Sequence, residues 1–464
     1  TASTATTPTT NNSSAAHRSL LTAHCSLLTP PHLETSTISP LPLRVLHVLE
    51  PRAGDEAILA CRAAMTIPGV EHLLVLVGSS RDQARAEEFG LSTPTRIGPI
   101  SGVGGVLLAA RRYARLLDHR YWFAPPASRE RLPDVQLAWS IPAAAMIRAA
   151  PGYHQLTRLA AVLRTSSPAP RGSPAYRRLK HALAHTQPFA LGRQARDSVA
   201  HPASARRGGL FQRDNIRLFD PPIDPAPRRV PDDEQRALRR ELGIADDAFS
   251  VVLLADPPSA GDAHRFAFAL GLAFAARIRV SGIVPCGLEA PSRLSRAAGF
   301  LRDHNRRWGL SVSPRPIDQL LRAADLAIAL TPDPRLDESP LNTLSCGTTS
   351  IALALSLGVP VIGPASETIA AVLGPDLAAA CIGRRSTVND AGGRLIEILS
   401  SPPALEDLRQ RALSRARDMA QLDAFRRDLL AIMEEMTGRP TIRPGLPIPP
   451  ALRDPLDAPV INHT

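Results

Sequence analysis

The chain has 464 residues, enough for two or three domains, and its 44% hydrophobic content with a mean hydropathy of −0.05 excludes a wholly disordered protein. Lys+Arg number 54 against 43 Asp+Glu, a net charge of +11, but aromatics make up only 4% and no basic block is interleaved with them, so nucleic acid is not the expected partner. The longest apolar runs fall short of the roughly 20 residues a membrane helix needs, which leaves peripheral contact with a membrane surface as the only open membrane reading.

Residues 1–41 are rich in Thr, Ser, Pro and His and are expected to be disordered or mis-started sequence; no basic region followed by an apolar stretch marks a signal peptide. Organised sequence starts at residue 42. The run LRVLHVL at 43–49 is short, apolar and β-branched, the pattern of a buried strand. A turn at 51–55 leads to helical spacing over 57–65, a second strand over 71–77 and a helix over 106–117 behind the glycines of 101–105. Strand character returns at 134–139, helical spacing at 142–150, a further element at 156–164, a short helix at 177–184 and a strand-edge or helical segment at 189–200.

A proline-rich stretch, 221–231, separates a second half with the same alternation. Helices are expected over 232–242 (with Asp232 as its cap), 262–274, 291–308, 317–324, 348–357 and 391–399, with a long helical tract over 403–436. Strands are expected over 249–254, 278–284, 326–330 and 359–362. The Pro-rich tail, 438–464, reads as a loose end. Strands alternating with helices in each half predict parallel sheets. The expected architecture is therefore α/β: two Rossmann-like domains, 42–222 and 223–437, facing a cleft at the carboxyl ends of their strands, where open α/β sheets bind ligands.

Common catalytic signatures are missing. There is no P-loop, Gly102–Gly105 is too short and wrongly placed for a dinucleotide fingerprint, and Ser140 lacks the G-x-S-x-G context of a hydrolase nucleophile. The histidines His47, His154, His181, His185 and His264 show no ligand spacing, so no metal is expected; His47, inside a strand, reads as a core or edge residue. The five cysteines are scattered, without CxxC spacing, as expected of reduced thiols in a cytoplasm.

The second half carries a family resemblance. The segment SCGTTSIALALSLGVPVI at 345–362 resembles the donor-site segment of GT-B glycosyltransferases, in particular the large group-1, family 4-like set. The segment 317–328 (IDQLLRAADLAI) is similar to that family's helix and strand before the donor loop. DNIRLFDPPID at 214–224 resembles its interdomain segment, RALRRELGI at 236–244 followed by FSVVLL the opening of its second domain, and PDVQLAW at 133–139 a first-domain strand that usually ends in a His motif. The resemblance runs in order from about residue 43 to 436.

The resemblance implies a glycosyltransferase, hexosyltransferase-type, that takes a sugar from a nucleotide-activated donor held by the second domain and passes it to an acceptor against the first. It further implies retaining transfer with neither metal nor cofactor. Donor-binding positions carried over are Ser345, Gly347, Thr348, Thr349 and Glu367; Gly54 and Asp55 lie on the acceptor side. The turn at 345–350 runs into a helix N-terminus, whose free N–H groups and dipole suit an anion; the plainer alternative is that its Ser and Thr residues cap the helix. Glu367 is alternatively an ordinary acid in a first helical turn, and Gly54-Asp55 an ordinary turn and helix start.

Several family signatures are altered. Where the family has a Glu at each end of the donor turn, this chain has Ser345 and Leu353, and a leucine cannot accept a hydrogen bond from a ribose hydroxyl. Where the family has an Arg and a Lys for the diphosphate, this chain has Asp256 and Gly261. The strand-end His is replaced near Trp139 and Ser140. Arg315 and Arg335 are candidates to restore the missing positive charge, and Glu338 to supply a carboxylate, each with a solvated surface residue as the alternative. Such a degenerate active site raises a second reading: a GT-B protein that has lost catalysis and serves as a binding or partner subunit.

Overall fold

In the computed structural model the described residues lie between 42 and 438; the longest intervening stretches outside them are 286–308 and 331–347. The described residues form one compact unit containing two large parallel sheets and a separate two-stranded one. The predicted segments at 177–184 and 438–464 lie mostly, and those at 291–308 and 1–41 wholly, outside the described residues.

The first sheet has seven strands in the order β3-β2-β1-β4-β5-β6-β9. They are β1 (Leu43–Leu49), β2 (Val70–Val77), β3 (Thr95–Ile97), β4 (Val135–Ala138), β5 (Thr157–Val162), β6 (Gln187–Leu191) and β9 (Arg217–Phe219), while β7 (Ala200–His201) and β8 (Phe211–Gln212) pair separately. β1 sits centrally between β2 and β4, and every one of its residues is buried. A strand buried on both faces cannot alternate apolar with polar, which explains the run LRVLHVL. Side chains still alternate between faces. Leu43, Val45 and Leu49 join the core under helices α1 (Asp55–Ala64) and α2 (Ser80–Glu88). Leu46 and Val48 join the opposite core under α3 (Gly102–Leu117) and α4 (Ile141–Ala149).

The second sheet has five strands in the order β12-β11-β10-β13-β14: β10 (Phe249–Leu254), β11 (Val280–Pro285), β12 (Gly309–Ser313), β13 (Leu326–Ala329) and β14 (Val361–Ile362). Its helices are α5 (Asp232–Glu241), α6 (Ala260–Ala275), α7 (Ile317–Arg322), α8 (Thr348–Ser356), α9 (Glu367–Cys381), α10 (Val388–Leu399), α11 (Pro402–Met419) and α12 (Leu422–Thr437). Both sheets reproduce the expected pair of Rossmann-like arrangements.

Differences from expectation have local causes. Asp232 is the first residue of α5, not its cap; Pro231 holds the cap position and no side chain bonds there. The tract 403–436 is two helices, α11 and α12. α2 escaped an apolar-period search because Ala86 is its one buried residue, yet a capping box marks its start, with Ser79 accepting from the Asp82 N–H and the Asp82 carboxylate accepting from the Ser79 N–H. Among the described residues no helix is long and apolar enough to cross a membrane. Leu107 and Leu108 of α3 are nonetheless exposed.

Candidate functional site

The helix α8 begins Thr-Thr-Ser and continues almost wholly apolar, and eight of its nine residues are buried. A helix placed in the core brings its free N-terminal N–H groups with it, and these need acceptors. Here the first half of the chain supplies one. The Thr349 N–H donates to Glu56 Oε1 of α1 at 3.1 Å, and the Thr348 hydroxyl donates to the Leu191 carbonyl at the end of β6 at 3.1 Å. A protein carboxylate thus sits at the helix terminus where an external anion would otherwise bind. The hydroxyls of Thr349 and Ser350 are buried and, among the described residues, have no hydrogen-bond partner.

Removing that carboxylate has a predictable cost. Glu56→Ala is expected to orphan the buried Thr349 N–H, at about 1–3 kcal/mol. Hydrogen exchange at the Thr349 amide should accelerate accordingly, and an unchanged rate would show that the bond contributes nothing to the junction.

Gly54 and Asp55 are buried at the start of α1. Gly54 has φ 117°, a conformation that side chains disfavour, and its N–H donates to the Pro51 carbonyl at 3.1 Å. The Asp55 carboxylate accepts from Arg85 Nε at 2.8 Å and Nη2 at 2.5 Å. Arg85 Nη1 also donates to the Pro314 carbonyl at 3.2 Å, just beyond β12. Asp55 therefore orients an arginine that bridges the two halves.

Ser345, Gly347, Asp256, Arg335 and Glu338 lie outside the described residues. Glu367 opens α9, but its side chain is likewise outside them. Gly261 lies in α6, and Arg315 pairs with Glu241 at 2.9 Å on the surface. Arg315 therefore already has a carboxylate partner. Ser140 caps α4, accepting from the Ala143 N–H at 3.1 Å and donating to Glu50 Oε2 at 2.7 Å.

Trp139, at the altered strand end, belongs to a chain of rings. Its indole N–H can only donate, and it reaches His47 Nδ1 at 3.1 Å. His47 must then carry its proton on Nε2, which donates to His72 Nδ1 at 2.9 Å, and His72 Nε2 donates in turn to the Ile67 carbonyl at 3.2 Å. Both imidazoles are held neutral. Burial and the neighbouring ring push His47 well below the ordinary histidine value, and burial lowers His72. Among the described residues no group of three or more His, Cys, Asp or Glu is placed to hold a metal.

A cavity of about 390 Å³ lies where the two halves meet. One face of α1 lines it through Leu59, Arg62 and Ala63, with Thr66 just beyond that helix, and one face of α8 through Thr349, Leu353 and Ser356, with Leu357 just beyond it. Asp318 and Arg322 of α7, Arg426 of α12, and Arg228 ahead of α5 complete its polar lining. Leu353 and Thr349 are legible from the sequence as site candidates; Asp318 lies in the family-like segment 317–328 but at no position the resemblance marks, and Arg228 and Glu56 are marked by no motif.

Neither a family model nor a curated protein sequence matches the chain. Solved structures do resemble it. HepE (Alr3699) from Anabaena, in complex with UDP and glucose, superposes with a TM-score of 0.61 at 13% identity over 85% of this chain and 100% of that one. Sucrose-phosphate synthase from Thermosynechococcus elongatus gives 0.59 at 11% identity, over 85% and 99%. A UDP-N-acetylglucosamine 2-epimerase from Listeria monocytogenes gives 0.53 at 16% identity, over 86% and 98%. The fold is GT-B. Within this GT-B chain the cavity and the junction at Glu56–Thr349 both lie between the two Rossmann-like halves.

Proposed function

We propose that this GT-B chain transfers a sugar from a nucleotide-activated donor to an acceptor, with donor bound against the second sheet and acceptor against the first. The observation that carries the reading is a fold shared over 85% of the chain with a protein solved with UDP and glucose, combined with a polar cavity at the junction of the halves. In this reading Ser345, Gly347, Thr348, Thr349 and Glu367 form the donor side, Gly54 and Asp55 shape the acceptor side, and transfer is retaining and metal-independent. Gly54 and Asp55 act indirectly, by setting the start of α1 and the position of Arg85.

The second reading, a lapsed enzyme acting as a binding or partner subunit, draws on one specific observation. The N–H of Thr349 is taken by Glu56, so the helix terminus is less able to stabilise the charge that builds on a leaving diphosphate.

One experiment separates them. Purified protein is offered UDP-, GDP- and ADP-sugars, and both thermal shift and release of free nucleoside diphosphate are followed. Transferase activity predicts a shift and slow release from at least one donor. A shift without any release supports the lapsed subunit, and no shift from any donor removes both nucleotide-sugar readings.

A further inference from the structure

The family's two devices for holding a donor nucleotide, a carboxylate for the ribose and cations for the diphosphate, are missing at their usual positions, Leu353, Asp256 and Gly261. Building on the transferase reading, we propose that Asp318 and Arg228 supply them from other elements: Asp318 takes the ribose hydroxyls and Arg228 the phosphates of a nucleoside diphosphate.

Asp318 lines the same cavity as Leu353, and its Oδ1 is buried and, among the described residues, has no hydrogen-bond partner. A buried carboxylate oxygen is a strong acceptor, and leaving it unmatched is costly, so it favours a ligand that brings hydroxyl donors. Thr349 adds a second such group: the residue is 1% exposed, lines the cavity and leaves its hydroxyl unpartnered.

The cations of the lining are not equivalent. Arg322 pairs with Glu234 at 2.8 Å, Arg426 with Asp423 at 3.0 Å, and Arg62 donates to the Phe89 carbonyl at 3.2 Å. Arg228 is anchored by its backbone, whose N–H donates to the Ser356 carbonyl at 3.0 Å, while among the described residues its guanidinium has no partner. Its charge remains available to a phosphate.

The two features together select the ligand class. A bare phosphate gains from Arg228 but is repelled by Asp318. An uncharged sugar gains from Asp318 but leaves Arg228 unused. A molecule with vicinal hydroxyls at one end and phosphates at the other satisfies both, and a cavity of about 390 Å³ falls within the roughly 300–1,000 Å³ usual for small-molecule sites. Since Glu56 already occupies the N-terminus of α8, side-chain cations are what the phosphates have left.

The test is calorimetric titration of the full chain with UDP, GDP and ADP, then with the 2′,3′-dideoxy analogue and the parent nucleoside of whichever binds tightest. The wild type should favour the ribonucleotide over its dideoxy analogue by roughly tenfold to a hundredfold. Asp318→Ala should bind the two alike. Arg228→Ala, at an exposed side chain, should weaken the diphosphate about tenfold and leave the nucleoside unchanged, which keeps the proposal testable should Asp318→Ala fail to fold. A variant at Asp318 that preserves the discrimination, or one at Arg228 that preserves diphosphate affinity, overturns the proposal while leaving the transferase reading intact. A wild type that binds none of the three nucleotides overturns both.

Discussion

Asp325→Ala is expected to lower the unfolding free energy by about 3–5 kcal/mol, the usual cost of leaving buried charges without their partner. Asp325 stands immediately before β13, 5% exposed, and its carboxylate pairs with Arg239 of α5 and Arg409 of α11. It also accepts from the Ser250 N–H at 2.9 Å, while its own N–H donates to the Ser250 carbonyl at 2.8 Å. One side chain therefore ties the first strand of the second sheet to β13 and to two helices distant in sequence. Removing it leaves the largely buried Arg239 with the Ala323 carbonyl as its remaining partner and Arg409 with the longer pairing to Glu406 at 3.4 Å. The midpoint of urea denaturation, compared at equal slope, measures the effect. A loss below about 1 kcal/mol would mean that water reaches both arginines and the pairing is marginal.

His47→Ala is expected to cost about 2–4 kcal/mol, because it opens a cavity between Trp139 and His72 and leaves the buried indole N–H without an acceptor. The same rings should make the first sheet sensitive to acid, with a definite sign. Both histidines have folded-state pKa values below the ordinary one of about 6.5. Above that pH the rings are neutral in folded and unfolded chains alike, and their contribution to stability is fully present. As pH falls below about 6.5 the unfolded chain takes up protons that the folded chain refuses, so stability falls by up to about 1.4 kcal/mol per pH unit for each proton. Protonating His47 would also place an N–H against the Trp139 N–H. Denaturation midpoints should therefore change little between pH 7.5 and 6.5 and drop steeply by pH 5.5 in the wild type, and drop much less in His47→Phe/His72→Leu. Parallel profiles for the two proteins would sink the idea.

Much of the strand framework was readable in advance because the signal is local. LRVLHVL at β1 and FSVVLL at β10 are apolar runs of strand length that need burial on two faces, and no alternative element fits them. Gly363 is a similar case. A side chain there would press a Cβ to 2.7 Å from the Ala329 carbonyl oxygen, so the glycine after β14 is a packing demand visible as a sequence motif. α9 was not legible, since its apolar residues run almost all round and it is interrupted at Gly374-Pro375, where Gly374 has φ 76°. α2 was missed for the opposite reason, being nearly all polar.

The candidate site divides along the same line. That Leu353, Asp256 and Gly261 stand at their positions is a fact of the sequence, and so is the Thr-Thr-Ser start of α8. What occupies that helix start is not. Glu56 and Thr349 are 293 positions apart, and Asp325 and Arg409 are 84 apart. Periodicity reports only which residues share a face of one element, because it follows from backbone geometry over a few turns. Pairing across the chain depends on how two sheets and their helices come together, and nothing local encodes it. The sequence by itself determined the α/β class and the two parallel sheets. Only the tertiary structure decided that a carboxylate from the first half caps α8, and that, among the described residues, Asp318 Oδ1 and the Arg228 guanidinium stand without a partner at one cavity beside Leu353.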